Sequence, residues 1–149
     1  MSAANIAEVA ATVTLAVNLA AGAVAGLAWW RGSTNAFVWP LLRAGQAAVV
    51  VQAALAGLLA ATGWKPDDGL YWLYVMLPIA INLIAEQLRI LAAEQVLENR
   101  GLADAQAVGA LPEEEQRMVV LAVVRREIGV MAVAAVVVTF LALRAALIA

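Results

Sequence analysis

The chain has 149 residues, of which 65% are hydrophobic and only 13% are charged, and its formal net charge is −2. Soluble domains contain about 45–50% apolar and about 25% charged residues, and a chain this short has too little interior to hide the excess. The composition therefore excludes an ordinary soluble domain and predicts an all-α, polytopic membrane protein. The small negative charge also excludes a basic surface for nucleic acid.

Cysteine and histidine are both absent from the sequence. Disulfides, haem ligated by histidine and the usual zinc or copper sites all require one of these residues, and histidine is the commonest general base. The sequence also has no phosphate-binding glycine loop, no nucleophile elbow and no paired-carboxylate metal motif. We therefore expect no catalytic site, no bound cofactor and no metal site, and hence a protein that is not an enzyme.

Charge-free runs separated by charged segments mark the membrane spans. A helix needs about 20 apolar residues to cross a hydrocarbon core. The runs predict a bundle of four transmembrane helices at residues 6–30, 39–61, 70–91 and 128–148. The whole chain, residues 1–149, is then a single transmembrane domain.

Aromatic residues flank the first two predicted turns. The first turn has Trp29, Trp30 and Trp39 at its sides, and the second has Trp64, Tyr71, Trp72 and Tyr74. Amphipathic rings concentrate where lipid meets water. We therefore expect these rings to form belts at the membrane surface.

The first predicted helix carries a row of polar and small residues at intervals of four positions, which places them on one face: Thr14, Asn18, Gly22 and Gly26. Small residues allow the backbones of membrane helices to approach closely. We interpret this row as a helix-packing face inside the bundle. The alternative is a surface for self-association.

The second predicted helix begins with Trp39-Pro40, and proline is tolerated in a first turn because its missing N–H needs no partner there. Arg43 lies one turn inside this helix. Its guanidinium can extend to the membrane surface, or it can pair with an acidic residue of the third helix. The amides of Gln46 and Gln52 need partners in lipid, which ordinary interhelical packing can provide.

The third predicted helix carries the most unusual polar set. Pro78, Asn82, Glu86 and Arg89 follow one another at spacings of four, four and three residues, on one face. An ionisable residue within a span is a functional hypothesis by default, but Glu86 lies only about 7 Å from the edge of a core about 30 Å thick. Glu86 has a proton or ion role, marks the end of the span, or serves only in helix packing. We treat Arg43, Asn82, Glu86 and Arg89 as a candidate intramembrane polar or ion-pair site, with pairing of Arg43 to Glu86 as the most specific predicted contact.

The connection between the third and fourth spans is long, and its sequence is typical of helix. We expect the third helix to continue through Glu94 to Arg100 and to end at Gly101, since glycine ends many helices. Pro112 and the three carboxylates after it indicate a new helix start, and that helix should run unbroken into the fourth span. Together these segments predict a cytoplasmic helical hairpin, in which the apolar residues 118–124 are buried or lie in the membrane interface.

Positive charge is divided unequally between the two predicted sides of the membrane. Seven arginines fall on the side of the first and third connections, whereas the other side has only Lys65 and Arg144. Because lysine and arginine accumulate in cytoplasmic loops, both termini are predicted to be extracytoplasmic. Residues 1–5 lack the positive charge of a signal peptide, so the first helix should remain as an uncleaved anchor. The use of arginine over lysine, with abundant alanine, suggests a bacterial inner (cytoplasmic) membrane.

A chain with four spans encloses little space, so a pore would need several copies. The leading hypothesis is an oligomeric transport or channel-type component, in which the polar rows of the first and third helices face the path. The alternative is an accessory or assembly subunit that packs against a larger membrane complex, and a lesion-forming protein of phage type is a third hypothesis. The expected partners are the lipid bilayer and either further copies of the chain or a larger complex.

Overall fold

The computed structural model describes all residues from Met1 to Ala149 and contains helices but no strand. The helices are α1 (Ala3–Arg31), α2 (Val38–Ala61), α3 (Leu70–Asn99), α4 (Ala105–Gly109) and α5 (Glu113–Leu147). All except the short α4 are long and apolar enough to cross a membrane. The prediction of an all-α chain with four helices able to span a membrane is therefore confirmed.

Three of the long helices end at a glycine in the left-handed conformation, with φ of 62° at Gly32, 90° at Gly63 and 68° at Gly101. Residues with a Cβ rarely adopt such angles. After α3, the amide of Leu102 donates to the carbonyl of Leu97 at 3.0 Å, which satisfies a backbone group that the helix leaves unpaired. The predicted end of the third helix at Gly101 is confirmed.

The longest helix, α5, starts directly after Pro112 and runs unbroken for 35 residues, about 52 Å at the usual helical rise. Three glutamates occupy its first turn, where the positive end of the helix dipole favours carboxylates. The predicted continuity of this helix with the fourth span is confirmed. The position of the α3 and α5 extensions on the cytoplasmic side stays a prediction.

The apolar residues 118–124, which precede the fourth predicted span, are only partly buried. Val119 is buried, whereas Met118, Val120 and Leu121 are each about half exposed, at 53%, 53% and 47%. One edge of this segment therefore packs inside the protein, and the other is available to lipid or to a partner.

Within the bundle, α5 packs along α1 on one side and along α3 on the other. α2 packs mainly on α1 and touches α3 over a much smaller area. The order of neighbours is therefore α2, α1, α5, α3, and the α2–α3 edge is the loosest. The end of the bundle at which α1 ends and α2 begins, here named the arginine-rich end, holds Arg31, Arg43, Arg89, Arg125 and Arg126.

Alanine dominates the larger core cluster, because small side chains allow membrane helices to approach closely. The alanines that α1 and α5 contribute to it are Ala21, Ala25, Ala28, Ala132, Ala134 and Ala135. The contact between α1 and α5 thus rests mainly on small residues rather than on large interlocking side chains.

A second core cluster lies toward the chain termini and surrounds Tyr71, which is fully buried. Its ring meets the ring of Trp64 edge-on, with centroids 5.4 Å apart. Tyr71 is therefore buried within the bundle, in a space that small residues of the other helices leave, and its level in the membrane stays a prediction. These residues are Ala7, Ala11, Ala56 and Ala145. Trp64, Trp72 and Tyr74 remain partly exposed.

Candidate functional site

Glu86 is the centre of a polar cluster at the α2–α3 edge. Its Oε1 accepts hydrogen bonds from Nη1 of Arg43 at 2.5 Å and from Nε2 of Gln46 at 2.8 Å. Its Oε2 accepts from Nε of Arg89 at 3.1 Å. The two carboxylate oxygens therefore divide between the helices, one bound to α2 and the other to the next turn of α3. Both partners considered for Glu86, Arg43 and Arg89, are present at once.

A second carboxylate extends the cluster to α5. Nη1 of Arg89 lies 3.3 Å from Oε1 of Glu127, so one guanidinium bridges two glutamates. The side chain of Glu127 is 17% exposed, and sequence analysis did not single it out. The available signal was its position as the last charge before the fourth predicted span. Arg43, Gln46, Glu86, Arg89 and Glu127 are named the Glu86 cluster below.

Trp39 supports both arginines of the Glu86 cluster from the first turn of α2. The Cζ atoms of Arg89 and Arg43 lie 5.5 Å and 6.0 Å from the centroid of its ring, within range of a cation–π contact. Trp39, Arg43 and Gln46 are spaced by four and three residues, so the helical repeat alone places them on one face of α2. The tryptophan thus anchors the cluster at the arginine-rich end.

The charges of the Glu86 cluster balance, with two arginines and two glutamates. Balance matters because an unpaired charge within a span is costly. The cluster is nevertheless open on one side, since the side chain of Arg43 is 51% exposed and that of Glu86 26%. The cluster therefore presents charged side chains, and a carboxylate that can exchange a proton, at the α2–α3 edge, which is accessible from outside the chain.

Asn82, the remaining member of the predicted site, does not join the Glu86 cluster. It lies one turn before Glu86, is half-buried, and makes no hydrogen bond to the cluster. The uncharged polar side chain that bonds to Glu86 is instead Gln46 of α2. The sequence-based interpretation of Gln46 as an ordinary packing residue overlooked this contact, because the partner lies on another helix.

The predicted packing face of α1 contacts α2 through its two polar residues. Nδ2 of Asn18 donates to the carbonyl of Gly45 at 3.1 Å, and Oγ1 of Thr14 lies 3.2 Å from the carbonyl of Ala48. Backbone carbonyls of α2 thus satisfy side chains of α1 inside the bundle. The absence of a side chain on Gly45 makes room for the Asn18 amide.

The two glycines of the same row behave differently from each other. A Cβ on Gly22 would lie 3.1 Å from a methyl group of Val136, so Gly22 faces α5 closely, whereas no atom lies within 4 Å of the corresponding point on Gly26. An added Cβ on Gly26 would therefore meet no neighbour within this chain, and its place in the packing face stays a prediction. A row with steps of four residues turns by about 40° per step around the helix, so its members reach different neighbours.

Two buried polar atoms have no hydrogen-bond partner, Nε2 of Gln52 and the hydroxyl of Tyr71. A polar group without a partner in an apolar interior is costly. Ordinary interhelical packing was expected to satisfy Gln52, and it leaves the amide nitrogen unpaired.

Comparison with models of known families, with curated proteins and with solved structures finds no match to this chain.

Proposed function

We propose that this chain is a non-enzymatic membrane protein that acts as an oligomeric transport or channel-type component. The observation that carries the proposal is the Glu86 cluster, which holds Arg43, Glu86 and Arg89 on the loosely packed α2–α3 edge and Glu127 on the neighbouring α5. Ionisable residues within membrane spans almost always face a bundle interior or a water-filled cavity. In a single copy, this edge lies on the outside of the bundle, where the side chain of Arg43 is 51% exposed.

A ring of copies with the α2–α3 edge turned toward a shared axis resolves that conflict. Such a ring lines its centre with Arg43, Gln46 and Glu86, and water there hydrates the half-exposed guanidinium of Arg43. The large apolar side chains that project from the other helices, such as Val133 and Phe140, then face lipid. The assembly supplies the enclosed space that four helices cannot.

The test begins with oligomeric state, measured by mass photometry after extraction into lipid nanodiscs. We expect a defined homo-oligomer. Proteoliposomes made with this oligomer should then pass monovalent ions or protons faster than empty vesicles. Glu86→Gln should change the rate or the ion preference at least tenfold, because it removes the charge at the centre of the cluster.

The matched control is Glu94→Gln, which removes the same charge from an exposed glutamate two turns further along α3 that has no ion pair. It should leave both oligomer and flux unchanged. A monodisperse monomer without flux would overturn the proposal, as would equal effects of the two substitutions.

An accessory or assembly subunit of a larger membrane complex is the second candidate. The half-exposed Met118, Val120 and Leu121 favour it, because they precede the fourth predicted span and a partner protein would cover them. A tagged chain that is monomeric but purifies from mild detergent with a second membrane protein in fixed ratio would support this candidate. Loss of that ratio in Met118→Glu, with the chain still folded, would locate the contact.

A further inference from the structure

A groove of about 910 Å³ runs between α3 and α5 and is bounded by Trp29 of α1. Of the 16 residues that line it, 11 are hydrophobic. We propose that this α3–α5 groove binds one anionic phospholipid, with an acyl chain along its apolar wall and the phosphate against the arginines at its end. The site is separate from the Glu86 cluster and does not depend on transport.

The apolar wall has the length that an acyl chain needs. It is formed by Ile81, Ile84 and Leu88 of α3 and by residues of α5 from Gly129 to Val137. The eight helical steps from Gly129 to Val137 rise about 12 Å, close to the roughly 15 Å depth of one leaflet of the hydrocarbon core. Val133, in the middle of this wall, is 66% exposed, so the groove is open to lipid.

The other end of the groove is positively charged and has no carboxylate among its lining residues. Asn99, Arg100, Arg125 and Arg126 line it, and no aspartate or glutamate does. None of these arginines forms a salt bridge, since the ion pairs of the chain all belong to the Glu86 cluster. Glu94 and Glu98 lie on the adjoining surface next to Arg126 but do not pair with it. This end therefore complements a negatively charged headgroup.

Two of the arginines are held in place while most of their donors stay free. Nε of Arg125 donates to the carbonyl of Trp29 at 3.2 Å, and Nη1 of Arg126 donates to Oε1 of Gln95 at 2.9 Å. A guanidinium has five N–H donors, and its fork matches the oxygens of a phosphate. The remaining donors are thus available to a headgroup.

Trp29 lies where the lining of the groove changes from charged to apolar residues. Tryptophan rings settle at the lipid–water interface, and this ring packs against Gly129, where an added Cβ would lie 2.8 Å from it. Along α5, the arginines precede Gly129 and the apolar wall follows it. The guanidinium groups therefore lie at the level of lipid phosphates. Basic pockets between membrane helices are known to bind anionic headgroups.

Native mass spectrometry of the full chain in a neutral detergent tests the proposal. Phosphatidylglycerol should bind more tightly than phosphatidylcholine with the same acyl chains. Arg100→Gln and Arg126→Gln should each weaken phosphatidylglycerol binding about fivefold, which corresponds to about 1 kcal/mol per arginine. The matched control is Arg117→Gln, an exposed arginine of α5 outside the groove, and it should change nothing.

Separate variants test the part of the proposal that concerns the acyl chain. Val133→Trp should fill the groove and weaken binding of the lipid at least fivefold. Leu83→Trp, at a similarly exposed position of α3 that does not line the groove, should leave binding unchanged.

Several results would overturn the proposal. One is equal affinity for the two lipids, and another is a loss of binding in Arg117→Gln as large as in Arg126→Gln. Competition by glycerophosphate as strong as by the intact lipid would show an anion site without a chain site. The chain has no cysteine, so Val133→Cys is a unique thiol. Cross-linking of two copies through it in membranes would show that a second protein covers the groove.

Discussion

At the scale of single residues, Glu86 combines one contact that sequence spacing can provide with two that it cannot. Arg89 lies three positions away on the same helix, a spacing at which side chains of one helix meet. Arg43 and Gln46 reach Glu86 from α2. An unpaired charge at the bilayer centre costs from about 2.5 to over about 10 kcal/mol, and less near the edge. Each of these partners lowers that cost.

The Arg43–Glu86 pair predicts non-additive effects of mutation. Arg43→Ala should destabilise the bundle, and Glu86→Ala in that background should add less than it does alone, because contacting residues are coupled. Unfolding in mixed detergents should give a coupling free energy above about 0.5 kcal/mol. The value belongs at the low end of the usual range, since Arg43 is half exposed and Arg89 still holds the carboxylate.

The control cycle combines Glu86→Ala with Arg144→Ala. Arg144 lies near the opposite end of the bundle beside Tyr74, with its Cζ 5.7 Å from the ring centroid. Its effect should add to that of Glu86→Ala within about 0.3–0.5 kcal/mol. A coupling for Arg43 and Glu86 that is no larger than this control would contradict the prediction.

At the scale of helices, the approach of α1 to α2 depends on Gly45. A Cβ there would lie 2.7 Å from Oδ1 of Asn18, and the buried amide would have to give up its bond to the Gly45 carbonyl. Hydrogen bonds between membrane helices average about 0.6 kcal/mol and reach about 1.7 kcal/mol. Gly45→Ala should therefore displace the Asn18 side chain and weaken the α1–α2 contact.

Gly57 provides the matched comparison, because it lies on the same helix and an added Cβ meets nothing within 4 Å. Both substitutions gain the same helix propensity, about 1 kcal/mol relative to glycine, so their difference isolates the contact. Gly45→Ala should be less stable than Gly57→Ala by about 1 kcal/mol in detergent unfolding. Equal stabilities would show that Asn18 moves without loss.

At the scale of the whole molecule, orientation in the membrane follows from charge. We propose that the arginine-rich end lies in the cytoplasm, because lysine and arginine accumulate on that side. A reporter that is active only in the cytoplasm, fused after Ala149, should therefore be inactive. The same reporter inserted at Asp104, in the α3–α5 connection, should be active. Strong activity of the fusion at Ala149 would reverse the proposed topology.

The sequence by itself determined the number of spanning helices and where they end. Span length and exclusion of charge are properties of a continuous segment, and a glycine such as Gly101 or a proline such as Pro112 acts on its own backbone. The Glu86–Arg89 pair was predictable in the same way, because its spacing of three residues is about one turn of a single helix. The extension of α5 to Glu113 was predictable for this reason.

Only the tertiary structure decided which helices are neighbours and which face each one turns toward them. In lipid, outward and inward side chains are both apolar, so no polarity pattern distinguishes the faces. The sequence therefore did not reveal that Glu127 joins the Glu86 cluster, that Tyr71 is buried, or that Gly26 faces open space. The α3–α5 groove depends on the distance between two helices whose contacting residues are far apart in the sequence. Such spacing arises from the fit of small residues across the bundle, which no single segment specifies.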